Sequence, residues 1–117
     1  MKNIVISGTS RGIGFELVKL FSHLCHKLLA LSRNEVPIQE LNFPNCTSIS
    51  CDLTKDSDIE KVSDFIKEKW KRVDILINNS GLLLNKPFSE ISIRDFKEVY
   101  DVNVFGVVAL TQAALPY

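Results

Sequence analysis

Residues 3–14 of the chain read NIVISGTSRGIG, a β-branched run that breaks at once into a cluster of three glycines. Ile4, Val5 and Ile6 favour extended backbone, where their stiff branched side chains pack well. Gly8, Gly12 and Gly14 then interrupt the run, and from Ile13 apolar residues return at three- and four-residue spacing through Leu17, Val18, Leu20, Phe21 and Leu24. Glu16, Lys19 and Ser22 fall between them, on what this pattern makes the polar side. The order is therefore strand, tight turn, amphipathic helix.

The same alternation continues outward. Lys27 to Ser32 (KLLALS) is apolar without alternation, as a strand covered on both faces of a parallel sheet should be. Asn34 to Asn45 holds Pro37 and Pro44 and reads as connection, with a weak helical stretch at Ile38 to Leu41. Thr47 to Leu53 predicts a third strand, and Asp56 to Trp70 a helix with Ile59, Val62, Ile66 and Trp70 on one face. Lys67, Lys69 and Lys71 at its end suit the helix dipole. Val73 to Asn78 predicts a fourth buried strand running into Asn79-Ser80-Gly81. Ser92 and Asp95 form a capping-box pattern opening a helix through Phe96 and Val99, and a more apolar helical stretch follows from Val102 to Leu115. Strand and helix alternate with neither repeat nor long linker, which predicts an α/β doubly wound parallel sheet with helices on both faces and right-handed crossovers.

Composition narrows the function. Lys+Arg 14 balance Asp+Glu 14 in 117 residues, so no long-range positive field favours nucleic acid or an anionic membrane. No apolar run approaches the roughly 18 to 20 residues that span a bilayer, and MKNIVISG turns polar too early for a signal peptide. The chain reads as cytoplasmic and soluble. Its three cysteines, Cys25, Cys46 and Cys51, are odd in number and read as reduced thiols. Neither Cys25 with His23 and His26 nor Cys46 with Cys51 has zinc-ligand spacing, so no metal is expected.

Ligands of an open parallel sheet bind beyond the carboxyl ends of the strands, and the informative residues cluster there. Gly8, Gly12 and Gly14 allow a sharp turn and let a pyrophosphate approach N–H groups at the positive end of a helix, with Ser10 and Arg11 adding a hydroxyl and a cation. No Lys-Ser or Lys-Thr pair follows, which excludes a P-loop. A tight turn with no ligand would also use glycine, and a methyltransferase-like nucleoside site would favour an acid after the second strand. Arg33 stands at that point, about twenty residues beyond the turn, where dinucleotide folds place the ribose-reading residue. Its planar donors suit a 2′-phosphate, so Arg11 and Arg33 favour NADP(H) over NAD(H). Glu35 nearby carries the charge that would repel that phosphate. Asp52 and Leu53 would set a carboxylate beside an adenine amine and an apolar side chain against its ring, and the amides of Asn78 and Asn79 beside Gly81 can bond a neighbouring strand and a ribose.

Together these pieces resemble the short-chain dehydrogenase/reductase family. Its T-G-x3-G-I-G turn appears as Ser7-Gly8-Thr9-Ser10-Arg11-Gly12-Ile13-Gly14, with the hydroxyl kept at Ser7, and its third-strand Asp-Leu as Asp52-Leu53. Its N-N-A-G appears as Asn78-Asn79-Ser80-Gly81, and its helix asparagine as Asn103. The resemblance implies a Rossmann-like NAD(P)-binding domain over residues 1–117. In it Gly8, Ser10, Arg11, Gly12, Ile13 and Gly14 would hold the cofactor phosphates and Arg33 the 2′-phosphate. Asp52 and Leu53 would frame adenine, Asn79 and Gly81 the nicotinamide-side ribose, and Asn103 would hold a proton-relay water.

The family's catalytic serine and Tyr-x3-Lys pair have no counterpart here. Tyr100 is followed four residues on by Val104, and Tyr117 is the last residue. Without lysine to lower its pKa, neither tyrosine is a suitable proton donor. The resemblance thus implies that these residues form the N-terminal, cofactor-binding half of an enzyme interconverting a carbonyl and an alcohol, inactive by itself; the alternatives are a nucleotide-binding module without chemistry and a structural fragment with neither ligand nor enzymatic activity. It also implies a homodimer or homotetramer for the parent, assembled through the Val102–Leu115 helix, and exposed apolar surface on this chain alone.

Overall fold

In the computed structural model, which describes residues 1–117, the apolar runs become four parallel strands: β1 (Asn3–Ser7), β2 (Lys27–Ser32), β3 (Cys46–Ser50) and β4 (Ile75–Ile77). They lie in the order β3-β2-β1-β4. Ile4 stands opposite Leu28 on one side and Ile75 on the other, and Leu28 in turn opposite Cys46, which puts β1 and β2 in the interior of the sheet. The helices are α1 (Gly12–His23), α2 (Val36–Leu41), α3 (Asp56–Phe65), α4 (Ile93–Tyr100) and α5 (Val107–Ala114).

The two-residue period of the strands divides their side chains between two cores. Ile4, Ile6, Leu28 and Ala30 point to one face and meet Val18 of α1 and Ile38 of α2. Val5, Leu29 and Leu31 point to the other and meet Val62 and Ile66 after β3, with Leu110 and Ala114 of α5. Burying each large aliphatic side chain contributes roughly 1.5–3 kcal/mol. With both faces covered, the doubly wound arrangement is complete around β1 and β2.

Four local readings need correction. The buried stripe of α1 is Gly14, Val18 and Ser22, while Ile13 and Leu20 are 72% and 52% exposed. Ser22 is buried because its hydroxyl donates to Asn45 Oδ1 at 2.6 Å, and Asn45 Nδ2 returns a bond to Ser22 O. The connection after β2 contains a true helix, α2, anchored by buried Ile38. β3 ends at Ser50, so Asp52 and Leu53 lie in the loop beyond it. Finally, β4 is three residues long and not buried, since it is a sheet edge; Ile75 is 40% exposed.

The capping box forms as expected: Ser92 Oγ accepts from Asp95 N and Asp95 Oδ2 accepts from Ser92 N, both at 3.0 Å. Helix α4 nevertheless buries no residue. It continues through a π-helical turn, Asp101–Gly106, into α5, and Phe88, Ile93, Tyr100, Phe105 and Val108 remain exposed along this side.

Candidate functional site

The turn after β1 is fastened from two sides, by three sets of bonds. Ser7 Oγ accepts from the main-chain N–H groups of Asn79 (3.0 Å) and Ser80 (3.1 Å), tying β1 to the end of β4. Thr9 donates through both N and Oγ1 to Leu31 O, at 3.2 and 3.1 Å, tying the turn to β2. Asn79 Nδ2 donates to Gly8 O at 3.1 Å. The turn needs glycine where it is most crowded. Gly8 has φ +69°, and a Cβ there would lie 2.9 Å from Asn79 O; a Cβ on Gly14 would lie 2.1 Å from Gly8 O. Gly14 therefore lets α1 settle against the turn.

Beyond this turn opens a cleft of about 310 Å³. Gly8, Ser10, Arg11 and Gly12 from the turn line it, together with Arg33, Asp52 and Leu53 from beyond β2 and β3 and Asn79 and Gly81 from beyond β4. The start of α1 faces it uncapped, for Arg11 makes no side-chain cap bond and no acid occupies the first turn. Three expected residues do not line the cleft. Ile13 points to solvent, and Gly14 is buried under the turn. Asn103 sits in the π-helical turn, where its carboxamide accepts from Leu82 N at 2.7 Å and donates to Leu82 O at 2.9 Å. It pins the segment after Gly81, whose Leu82 does line the cleft.

The sequence reading missed Ser32, Cys51, Ser80, Leu82 and Val102, which complete the lining. Ser32, Cys51, Ser80 and Leu82 lie at or beyond strand ends and Val102 in the π-helical turn; adjacency to residues already singled out was the available signal. It also missed Thr9, whose hydroxyl among the glycines was visible but whose partner, Leu31 O, was not.

The electrostatics are uneven. Arg11 and Arg33 are both exposed to the cleft. Glu35 is not among the lining residues and accepts from Ser48 Oγ at 3.3 Å. The Asp52 carboxyl is held below its ordinary pKa chiefly by Thr54, whose hydroxyl and N–H both donate to Oδ1, at 2.7 and 3.0 Å; Lys55 and Arg33 lower it further. Burial pushes the Cys51 thiol up to about 11, with the charges of Asp58 and Asp52 adding to the effect. No group of three or more His, Cys, Asp or Glu side chains is placed to hold a metal ion, and no helix is long and apolar enough to cross a membrane.

The chain that forms this turn and cleft is matched over residues 2–117 by the family model for short chain dehydrogenases. The chain belongs to the short-chain dehydrogenase family. It is 31% identical over 117 residues to an NADP-dependent 3-hydroxy acid dehydrogenase of Escherichia coli, with 97% of this chain and 47% of that protein covered. It is 32% identical to 11-beta-hydroxysteroid dehydrogenase A of Sesamum indicum, covering 99% of this chain and 36% of the relative. Among solved structures, a short-chain dehydrogenase from Streptomyces avermitilis superposes with a TM-score of 0.92 at 27% identity, covering 99% of this chain and 45% of the other. An NADPH-bound carbonyl reductase from chicken fatty liver superposes with a TM-score of 0.90 at 26% identity, covering 99% and 51%. The short-chain dehydrogenase fold is thus present throughout these residues, which span about half the length or less of the curated relatives they match.

Proposed function

We propose that residues 1–117 form the cofactor-binding domain of an NADP(H)-preferring short-chain oxidoreductase that interconverts a small-molecule carbonyl and an alcohol, and that this chain alone performs no turnover. The observation that carries the cofactor preference is the pair Arg11 and Arg33 on one cleft, with Glu35 engaged by Ser48 rather than lining it. Two guanidinium forks suit a 2′-phosphate and offer nothing to a free 2′-hydroxyl that a carboxylate would not offer better. The NADP-dependent relative and the NADPH-bound structural neighbour support the same preference.

The residues present fit such a cofactor. A Cβ on Gly12 would meet no atom within 4 Å, so it would extend into open space, and glycine leaves that space for a pyrophosphate. The uncapped start of α1 presents its unpaired N–H groups there. Gly8, Ser10, Arg11 and Gly12 would hold the phosphates, Arg33 the 2′-phosphate, Asp52 and Leu53 the adenine, and Asn79 and Gly81 the second ribose. Gly14 and Ile13 belong to this set through the backbone geometry of the turn and helix start. When bound, the nicotinamide supplies or accepts the hydride. The Asn103 carboxamide bonds Leu82 through one oxygen lone pair and one N–H, and Asn103 would hold a relay water with the hydrogen-bonding capacity that remains. Cytoplasmic location and assembly of the parent as a homodimer or homotetramer complete the proposal.

Titration of the chain with NADPH and NADH tests it. NADPH binds more tightly, and Arg33→Ala weakens NADPH by about tenfold or more while leaving NADH nearly unchanged. Tighter NADH binding by the unaltered chain overturns the preference. Oxidation of NADPH above background with a panel of carbonyl compounds overturns the assignment of inactivity.

A further inference from the structure

We propose that Asp58, which does not line the cleft, is a positioning residue for its adenine end, fixing the Asp52 main chain so that the Asp52 carboxylate meets the exocyclic amine of the base. This rests on reading the cleft as a dinucleotide site. The argument begins where the sheet stops. Cys51 N still donates to Ser32 O at 2.8 Å, but the next N–H, that of Asp52, has no strand partner. It donates instead to Asp58 Oδ2 at 2.9 Å, across the loop to the first turn of α3. The loop is closed by Lys55 N donating to Asp52 O at 3.0 Å.

Two further observations give this bond a consequence at the cleft. Thr54 takes only Oδ1 of Asp52, through its N–H and its hydroxyl, and Oδ2 receives no hydrogen bond. One oxygen of Asp52 is thereby oriented and the other left to accept from a ligand donor. Asp58 is mostly enclosed, its side chain 17% exposed, and its Oδ1 pairs with Lys61 Nζ at 3.3 Å. Its carboxyl lies below the ordinary range, first because of the Asp52 N–H and then because of Lys61. The charged form is thus the one that holds the loop. Asp58 does not itself line the cleft, yet it holds the main chain of Asp52, which does.

The consequence is base discrimination. A carboxylate oxygen accepts from the adenine amine, whereas the carbonyl of hypoxanthine offers it only another acceptor. Binding is measured for NADPH, for its hypoxanthine analogue and for reduced nicotinamide mononucleotide, which lacks the base. The unaltered chain prefers NADPH over the hypoxanthine analogue by about tenfold, the order expected of one hydrogen bond to a charged group. In Asp58→Ala the ratio falls toward one while mononucleotide binding is unchanged. Asp58→Asn, which keeps an oxygen acceptor for the Asp52 N–H, retains most of the ratio, and Lys61→Met, which removes only an exposed partner, leaves it intact. Asp58→Glu keeps the charge at the start of α3 but displaces the acceptor by a methylene, so it lowers the ratio even if the alanine variant is too unstable to measure.

An unaltered ratio in Asp58→Ala or Asp58→Glu overturns the positioning role alone. Equal weakening of all three ligands overturns it too, because general loosening of the fold would do that. If the unaltered chain binds none of the three, the cofactor reading falls and takes this inference with it.

Discussion

Replacing Gly14 by alanine separates the two jobs that glycine does in the turn. The added Cβ would lie 2.1 Å from Gly8 O, 2.6 Å from Asn79 Nδ2 and 2.8 Å from Gly8 C, against an ordinary carbon-to-oxygen approach of about 3.3 Å. More than an ångström must be found somewhere. The turn cannot easily yield, because Thr9 fastens it to Leu31 O twice and Ser7 fastens the adjoining strand to Asn79 and Ser80. Moving α1 instead withdraws fully buried Val18 from Ile4, Ile6 and Leu28. Overpacking of this kind costs about 1–3 kcal/mol, and loss of the Asn79 bond to Gly8 O adds about 1 kcal/mol. A total of about 2–4 kcal/mol, with a urea dependence of about 1–3 kcal/mol per molar, lowers the unfolding midpoint by about 1–2 M. Gly12→Ala is the control. Its Cβ meets nothing within 4 Å, and its φ of +62° costs only about 1–2 kcal/mol. It therefore lowers the midpoint about half as far, by roughly 0.5–1 M, yet weakens NADPH binding if, as proposed, the pyrophosphate approaches over Gly12. Urea unfolding followed by circular dichroism, with nucleotide titration of the folded variants, gives both numbers. A Gly14→Ala midpoint equal to that of the unaltered chain, or a Gly12→Ala midpoint lowered by more, would refute the reasoning.

Titration and thiol chemistry check the electrostatics. Asp52, Asp58, Asp74 and Asp95 all have carboxyls lowered from 3.8, each chiefly by a hydrogen bond: from Thr54 to Asp52, and from the main-chain N–H groups of Asp52, Asn3 and Ser92 to the others. The unfolded chain binds these protons more readily, so their contribution is present above pH 3.8 and is lost as pH falls below it; an acid titration that leaves the urea midpoint flat down to the lowered values would contradict this. Cys25 is exposed, whereas burial pushes the Cys46 and Cys51 thiols up to about 11. At pH 8 a thiol of that pKa is on the order of one part in a thousand thiolate, so a disulfide reagent modifies Cys25 first and the other two slowly; three thiols reacting at one rate would be the contrary result.

What the sequence displayed was the free energy of burial. The uninterrupted KLLALS run announced a strand covered on both faces, and β2 is one. The spacing of Ser92 and Asp95 announced a reciprocal cap, a purely local bond pair that four residues suffice to specify. The face of α1 was harder, because a helix with apolar residues over more than half its circumference has several candidate stripes. Gly14 and Ser22 were unlikely members by hydrophobicity, and they are buried by close approach and by hydrogen bonding to Asn45. Edge position hid β4 in the same way: its residues ILI look like a core strand, and only the strand order leaves one side without a neighbour.

The candidate site followed a different rule. Glycines, Arg33 and Asp52 could be singled out because their types are unusual for the places they occupy, but the bonds that orient them run between residues far apart in sequence. Ser7 meets Ser80 across 73 positions and Asn79 meets Gly8 across 71. No periodicity encodes such a pair. Each bond depends on β1 lying between β2 and β4, since only that order brings Leu31 O to Thr9 from one side and Asn79 to Gly8 from the other. The side chains of Ser7, Thr9 and Asn79 are thus spent on holding the turn, and the groups left over include the first N–H groups of α1, the hydroxyls of Ser10 and Ser80, the two guanidinium ions and one oxygen of Asp52. A turn whose internal bonds are already satisfied needs little rearrangement to receive a ligand, so the free energy of those leftover donors and charges goes into selecting the ligand rather than shaping the site.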